Sequence, residues 1–183
     1  MLLQNLILAI AAGIVSGNDL ETVRLRALAA FCWPSASGIQ SVVGEAIGLA
    51  AALDPVSCLW HDIDYNSTSR ADWLTDIHLA RVQVMTTGVT VPGSSIFENV
   101  TISALTHCAL QAWFTNNWQN ANWWYQWIGV PLQMSAIQIM FGENRTSIEE
   151  QNRLTQYNYD AAWWLDAFGG GDNLSDMAKV ESM

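Results

Sequence analysis

From Asp19 onward the apolar residues recur at three- and four-residue intervals in one segment after another, and nowhere do they alternate as in a half-buried strand. This periodicity constrains the fold more than any other feature, because amphipathic helices bury their apolar stripes by packing on other helices. Asn18 or Asp19 caps a first segment in which Val23, Leu25, Ala27, Leu28 and Phe31 form a broad apolar arc. Trp33-Pro34 ends it, since the residue before a proline is driven out of the helical region. Ser35-Ala36-Ser37-Gly38 is turn chemistry, and a second helix is predicted from Ile39 to Leu53, before Asp54-Pro55.

The polar stretch from Leu59 to Asp72 reads as extended or turning until Ser69 caps a helix carrying Trp73, Ile77, Ala80, Arg81 and Val84. Val91-Pro92-Gly93 is a turn, after which Ser94 or Ser95 opens a helix through Phe97, Val100, Ala104, Cys108 and Ala112 to Trp113-Phe114. His107 in this run reads as a hydrogen-bonded core residue rather than a base. The amide-rich loop Thr115–Ala121 leads to a helix with Pro131 in its first turn, running to about Phe141. Thr146 with Glu149 and Ser147 with Glu150 form two overlapping capping boxes. The helix they start runs through Leu154, Tyr157, Ala161, Trp164, Leu165 and Phe168 to Gly169-Gly170-Gly171. Asp172 or Asn173 then caps a last helix from Leu174 to Met183. Helices of about 15 to 22 residues with short links imply antiparallel αα-hairpins and an all-α fold class.

The 183 residues suffice for a domain with a core, and an apolar share of 51% is ordinary, but ten tryptophans are not. A net charge of −10 with only seven Lys and Arg excludes the basic stripe that nucleic acid requires. It also means that a polyanionic ligand must be met by local contacts. Met1 to Gly17 is an apolar run too short to span a bilayer, with Val15 and Gly17 at the −3 and −1 positions of a secretory cleavage site. We read residues 1–17 as a signal peptide, a buried first helix being the alternative. No other segment approaches a membrane span. Asn66, Asn99, Asn144 and Asn173 each open an Asn-x-Ser/Thr sequon, compatible with secretion. Cys32, Cys58 and Cys108 allow one internal disulfide, and spacing does not choose the pair. His61, Asp62 and Asp64 lack the spacing of a zinc or calcium loop, so neither a metal nor a cofactor is expected.

The stretch Asn122-Trp123-Trp124-Tyr125-Gln126-Trp127 combines three tryptophans, a tyrosine and two carboxamides. A pyranose offers apolar C–H faces that stack on aromatic rings, and hydroxyls that carboxamides bind. On a helix Trp123 and Trp127 share a face, with Trp124 about a quarter turn away. One or two rings then belong to a core while another lines a cleft; burial of all of them is the plainer alternative.

Asn122-Trp123-Trp124 followed by Ile128-Gly129-Val130-Pro131 resembles the signature of the family 8 polysaccharide lyases, the hyaluronate, chondroitin and xanthan lyases. The resemblance assigns Asn122, Trp123 and Trp124 to the substrate cleft. Many members carry acidic residues where this chain has Tyr125-Gln126-Trp127. Trp60, Asp62, Ile63, Asp64, Tyr65, Arg70, Trp73, His78 and Arg81 also follow a pattern similar to the start of that family's helical domain, where structural roles are expected. The resemblance covers about Asp19 to Met183. It implies that residues 18–183 are the N-terminal portion of an α/α toroid, a partial toroid of helical hairpins, in an extracellular lyase acting on an acidic polysaccharide.

Such lyases remove the C5 proton of a uronic acid and must stabilise charge on the adjacent carboxylate. Family members use an Asn at a helix start for this, and Gly170-Gly171-Asp172-Asn173-Leu174-Ser175-Asp176 occupies the matching place, making Asn173 the candidate. The free N–H groups of a helix N-terminus suit that task, although Asp172 replaces the usual small residue. The family's catalytic His, Tyr and Arg follow that Asn at a distance, so the resemblance implies a fragment or truncated relative holding the cleft wall without the proton-transfer groups. A non-catalytic or vestigial carbohydrate-binding module is the alternative. An inverting glycoside hydrolase would need two carboxylates roughly 6.5–9.5 Å apart, and Asp160, Asp166 and Asp172 form no recognisable motif for it.

Overall fold

The computed structural model describes residues 17–163, all helix, turn and loop without a strand. Residues 1–16 of the predicted signal peptide (residues 1–17), the glycine stop, Asn173 and the last predicted helix lie outside the described residues. The chain divides into two compact units, one ending at Trp33 and the other beginning at Pro34.

In the first unit, α1 (Gly17–Ala27) widens into a π-helical turn over Leu28–Cys32. Trp33 N–H closes that turn on the Leu28 carbonyl at 2.7 Å, and Trp33 is already extended (φ −91°, ψ 138°), as its proline neighbour requires. An Arg24–Glu21 ion pair of 2.7 Å lies along α1.

The second unit contains α2 (Ile39–Ala52), α3 (Asp76–Thr90), α4 (Val100–Asn116), α5 (Val130–Phe141) and α6 (Ile148–Trp163). α3 is central, packing on α2, α4 and α5, while α6 packs on α5. Contacts at both ends give the directions. Ile39 of α2 lies beside Gly93 beyond the C-terminus of α3, and Ala46 faces Gly88, so α2 and α3 are antiparallel. His78 bonds the Ala109 carbonyl while Glu98 N–H bonds Val89 O, so α3 and α4 are antiparallel too. Ser135 reaches Asn158 and Gln138 reaches Thr155, which sets α6 antiparallel to α5.

The central position of α3 explains its composition. A Cβ on Gly88 would lie 2.9 Å from Ala46 Cβ and from Ile96 Cδ1, so the close approach of α2 depends on glycine there. Thr86, Thr87 and Thr90 are buried yet satisfied, each hydroxyl donating to the carbonyl one turn back at 2.8 Å. Leu79, Val82 and Met85 complete the face at the core, with Leu110, Trp113 and Ile137 from neighbouring helices. Cys58 and Cys108 form a disulfide, Cα–Cα 5.5 Å, that ties the loop after α2 to the middle of α4; Cys32 is free.

Three helix starts differ from the sequence-based expectation. Asn18 and Asp19, read as alternative caps of the first helix, already lie inside α1. The helix assigned to Ser69 begins at Asp76, leaving Trp73 buried in the preceding loop. Ser69 Oγ instead accepts the Asp72 N–H at 3.2 Å in a local turn. The helix assigned to Ser94 or Ser95 begins at Val100, because Asn99 caps it, its Oδ1 accepting from Ile102 N–H at 3.0 Å. Ser94 Oγ takes the Ile96 N–H in a turn before it. α3, α4 and α6 have 15 to 17 described residues, within the expected range, while α2 and α5, of 14 and 12 residues, fall short of it. Of the two predicted capping boxes, Ser147–Glu150 forms reciprocally at 2.8 and 3.1 Å, while Thr146 Oγ1 donates to the Gly142 carbonyl.

Candidate functional site

α4 ends at Asn117, whose left-handed conformation (φ 47°, ψ 50°) is one that asparagine tolerates better than most residues. The chain then crosses Trp118–Ala121 and enters helix at Trp123, passing through a second π-helical turn, Tyr125–Gly129, before α5. Val130 N–H closes that turn on the Tyr125 carbonyl. The wider turn shifts the angular phase of Trp127 relative to Trp123 from that of an ideal α-helix. Pro131 sits in the first turn of α5, where its missing N–H costs nothing.

Four hydrogen bonds stitch this segment to the loop before α3. Asn120 Nδ2 donates to Ser69 O at 2.9 Å and Asn122 Nδ2 to Arg70 O at 2.7 Å. The Tyr125 hydroxyl accepts from Trp73 N–H at 3.2 Å and donates to Ala71 O at 3.4 Å. Locally, Asn120 Oδ1 accepts from Asn122 N–H, and Asn122 Oδ1 from Trp124 N–H at 3.1 Å. The carboxamide of Asn122 thus caps the tryptophan turn and anchors it to Arg70. Each carboxamide has two N–H groups and two lone pairs, so one of each is unused by these bonds; Asn122 is half-buried, whereas Asn120 is buried.

On this scaffold Trp123 is half-buried and Trp124 is 36% exposed. Trp124 meets Tyr125 edge-on (5.4 Å, 83°) and folds back over Gly129. A Cβ on Gly129 would lie 2.7 Å from Trp124 Cζ3, so the glycine of Ile-Gly-Val-Pro gives this ring its place. Gln126 Nε2 and Gln133 Oε1 are buried without a hydrogen-bond partner among the described residues. Gln133 Nε2 donates to Asp76 at 2.9 Å, and burial raises that carboxyl above its ordinary range.

Beneath the wall lies a second aromatic group. His78, fully buried, is flanked by Trp60 (5.0 Å), Tyr65 (5.7 Å), Trp118 (5.5 Å) and Trp113 (5.9 Å). The Ala109 carbonyl 2.9 Å from Nε2 can only accept, so Nε2 carries the proton and Nδ1 accepts from the Tyr65 hydroxyl, also at 2.9 Å. That hydroxyl in turn accepts from Trp60 N–H. Burial lowers the His78 pKa from 6.5 to about 4, keeping the ring neutral. At the rim, Arg81 grips Asp62 through two bonds of 2.7 and 2.6 Å and lies over the Trp60 ring, and its hydrogen bonding holds Asp62 below the usual carboxylate range. His107 is hydrogen-bonded as expected, to Glu150 at 2.7 Å, and stacks on Phe141.

Asn122, Trp123 and Trp124 thus stand on one segment hydrogen-bonded to the loop before α3, while Asn173 lies outside the described residues. Sequence reasoning missed the partner loop. Arg70, exposed, carries the carbonyl that Asn122 holds; like Arg26 and Arg153 it takes part in none of the ion pairs among the described residues, which use Arg24, Arg81, His107 and Arg145. No group of three or more His, Cys, Asp or Glu among the described residues is arranged to hold a metal ion. None of the described helices is long and apolar enough to cross a membrane.

Residues 36–181 match the family described as polysaccharide lyase family 8, N terminal alpha-helical domain. No curated protein matches the chain. Among solved structures, a chondroitinase AC lyase studied in oligosaccharide complexes is similar at a TM-score of 0.68 and 16% identity, covering 86% of this chain and 23% of that one. A Paenibacillus xanthan lyase is similar at a TM-score of 0.64 and 19% identity, covering 79% of this chain and 14% of that one. The chain thus spans less than a quarter of either. Both share its helical architecture, that of the α/α toroid lyases.

Proposed function

The chain belongs to polysaccharide lyase family 8, and from that premise we propose that it forms part of an extracellular lyase that cleaves a uronic-acid polysaccharide such as hyaluronan, chondroitin or xanthan by β-elimination. In this reading Trp123 and Trp124 stack on sugar rings and Asn122 orients them, giving its remaining N–H to a hydroxyl. Arg70, at the seam with Asn122, meets a uronate carboxylate and offsets locally the repulsion expected of a chain with net charge −10. The observation that carries this reading is the exposed Trp124 ring held on a backbone bonded at four points to the Ser69–Trp73 loop. A preorganised wall loses little entropy when it binds.

In the elimination, removal of the C5 proton builds negative charge on the carboxylate as the C4–O bond breaks. Asn173 is our candidate for stabilising that charge from a helix N-terminus. A cystine at Cys58–Cys108 is consistent with an oxidising, extracellular location. A carbohydrate-binding module without turnover would use the same wall. The whole lyase of which the chain forms part, incubated with each polymer, separates the two by the ultraviolet absorbance of an unsaturated uronate product. Release abolished by Asn173→Ala supports the lyase; binding without release supports the module; neither binding nor release overturns both.

A further inference from the structure

Asn99-Val100-Thr101 and Asn144-Arg145-Thr146 are sequons separated by a helix, a wide turn and a second helix. The fold makes them neighbours, since Glu98 and Arg145, one beside each asparagine, pair at 2.7 Å. Both asparagines are exposed. Asn99 uses only its oxygen, as the cap of α4, and Nδ2 has no hydrogen-bond partner among the described residues. Asn144 makes no side-chain hydrogen bond to a described residue. Phe97, Val100 and Ile148, which flank the two sequons in sequence, are 41%, 82% and 76% exposed, an apolar surface next to both.

Both sequons also stand away from the aromatic wall. Asn99 caps one end of α4 and the wall loop leaves the other, about 25 Å away for a 17-residue helix rising 1.5 Å per residue. Asn144 follows the far end of α5, whose near end carries Pro131. Asn66 differs: its neighbour Tyr65 stacks on Trp118 at 4.8 Å, and the nearby Ser69 carbonyl holds Asn120, so a group on Asn66 would stand beside the wall.

We propose that Asn99 and Asn144 are paired acceptor sites for N-linked glycans, covering the apolar end of the helical layer and leaving the wall open. In the transfer, Nδ2 of each asparagine bonds to C1 of an oligosaccharide carried on a lipid diphosphate. The C1–O bond breaks, the lipid diphosphate leaves with the electron pair, and the transferase takes the nitrogen's proton. The proposal rests on the extracellular reading, and the two fail separately. The chain's own N-terminus tests secretion, and a host secretion signal tests the acceptor sites.

The full chain is expressed behind that host signal in a eukaryotic cell and weighed before and after peptide-N-glycosidase. The expected result is that Asn144→Gln removes one glycan and Thr101→Ala another, the latter leaving the Asn99 cap in place. The glycosylated chain should unfold at the same temperature as the enzyme-treated one. A secreted chain whose mass is unchanged by the glycosidase, or whose glycans disappear only with Asn66→Gln, overturns the proposal.

Discussion

Trp113 and Trp124 belong to aromatic groups connected through Trp73 and Tyr125, yet Trp113 is fully buried while Trp124 is 36% exposed. Trp113 faces the edge of Trp73 at 6.0 Å and that of Trp118 at 5.4 Å, enclosed between helices around a neutral His78. Trp124 has Tyr125 on one side and the bare Cα of Gly129 beneath it, and its position is held by backbone hydrogen bonds more than by packing. The same residue type therefore sits in two settings: inside, area removed from water stabilises the helices; at the wall, a ring stays partly out of the core, and in the proposed function a sugar completes its burial.

The comparison is broken most severely from the inside. Trp113→Ala should destabilise the fold by about 3–5 kcal/mol, the range for deleting a large aromatic core side chain, measurable by denaturant unfolding. A loss below about 1 kcal/mol would mean that the inner group is not the core.

The histidine at its centre adds a pH dependence. With a folded pKa of about 4 against 6.5, the unfolded chain binds the proton in that interval and the folded chain does not. Stability should therefore fall as pH drops from about 6.5 to about 4, by on the order of 3 kcal/mol, and this contribution levels off below. His78→Gln should flatten that slope, and an unchanged slope would assign the effect to other groups.

How much of this was legible in the sequence follows from the range of each interaction. The Ser147–Glu150 capping box, Pro131 at the start of α5 and the Trp33-Pro34 stop are decided within a few residues, and all formed as read. Ser69 and Ser94 are equally plausible caps, but both were taken into turns, and no local rule says that Tyr125 will hold Trp73 N–H from 52 residues away. The Cys58–Cys108 pairing and the seam between Asn122 and Arg70 are tertiary in the same sense. Chemical character at Asn122-Trp123-Trp124 was readable; which ring stays exposed was not, because it depends on a π-helical turn that shifts the helical phase.

A smaller change sharpens the comparison at its boundary. Gly129→Ala places a methyl 2.7 Å from the Trp124 ring and should displace it at a cost of about 1–3 kcal/mol. A changed collisional quenching of tryptophan fluorescence with retained helicity is the expected readout, and an unaltered quenching profile would show that Gly129 does not position the ring.

The most direct measurement of the central claim, that the wall binds an acidic polysaccharide while the inner group holds the fold, uses the full chain with Trp123 and Trp124 both changed to Ala. Affinity for hyaluronan, chondroitin and xanthan oligosaccharides is determined by calorimetry beside an unfolding curve. The account predicts at least a tenfold loss of affinity, about 1.4 kcal/mol, with helicity kept and a stability loss well below that of Trp113→Ala. Unchanged affinity, or unfolding as severe as that of Trp113→Ala, would contradict it and return the two tryptophans to the core.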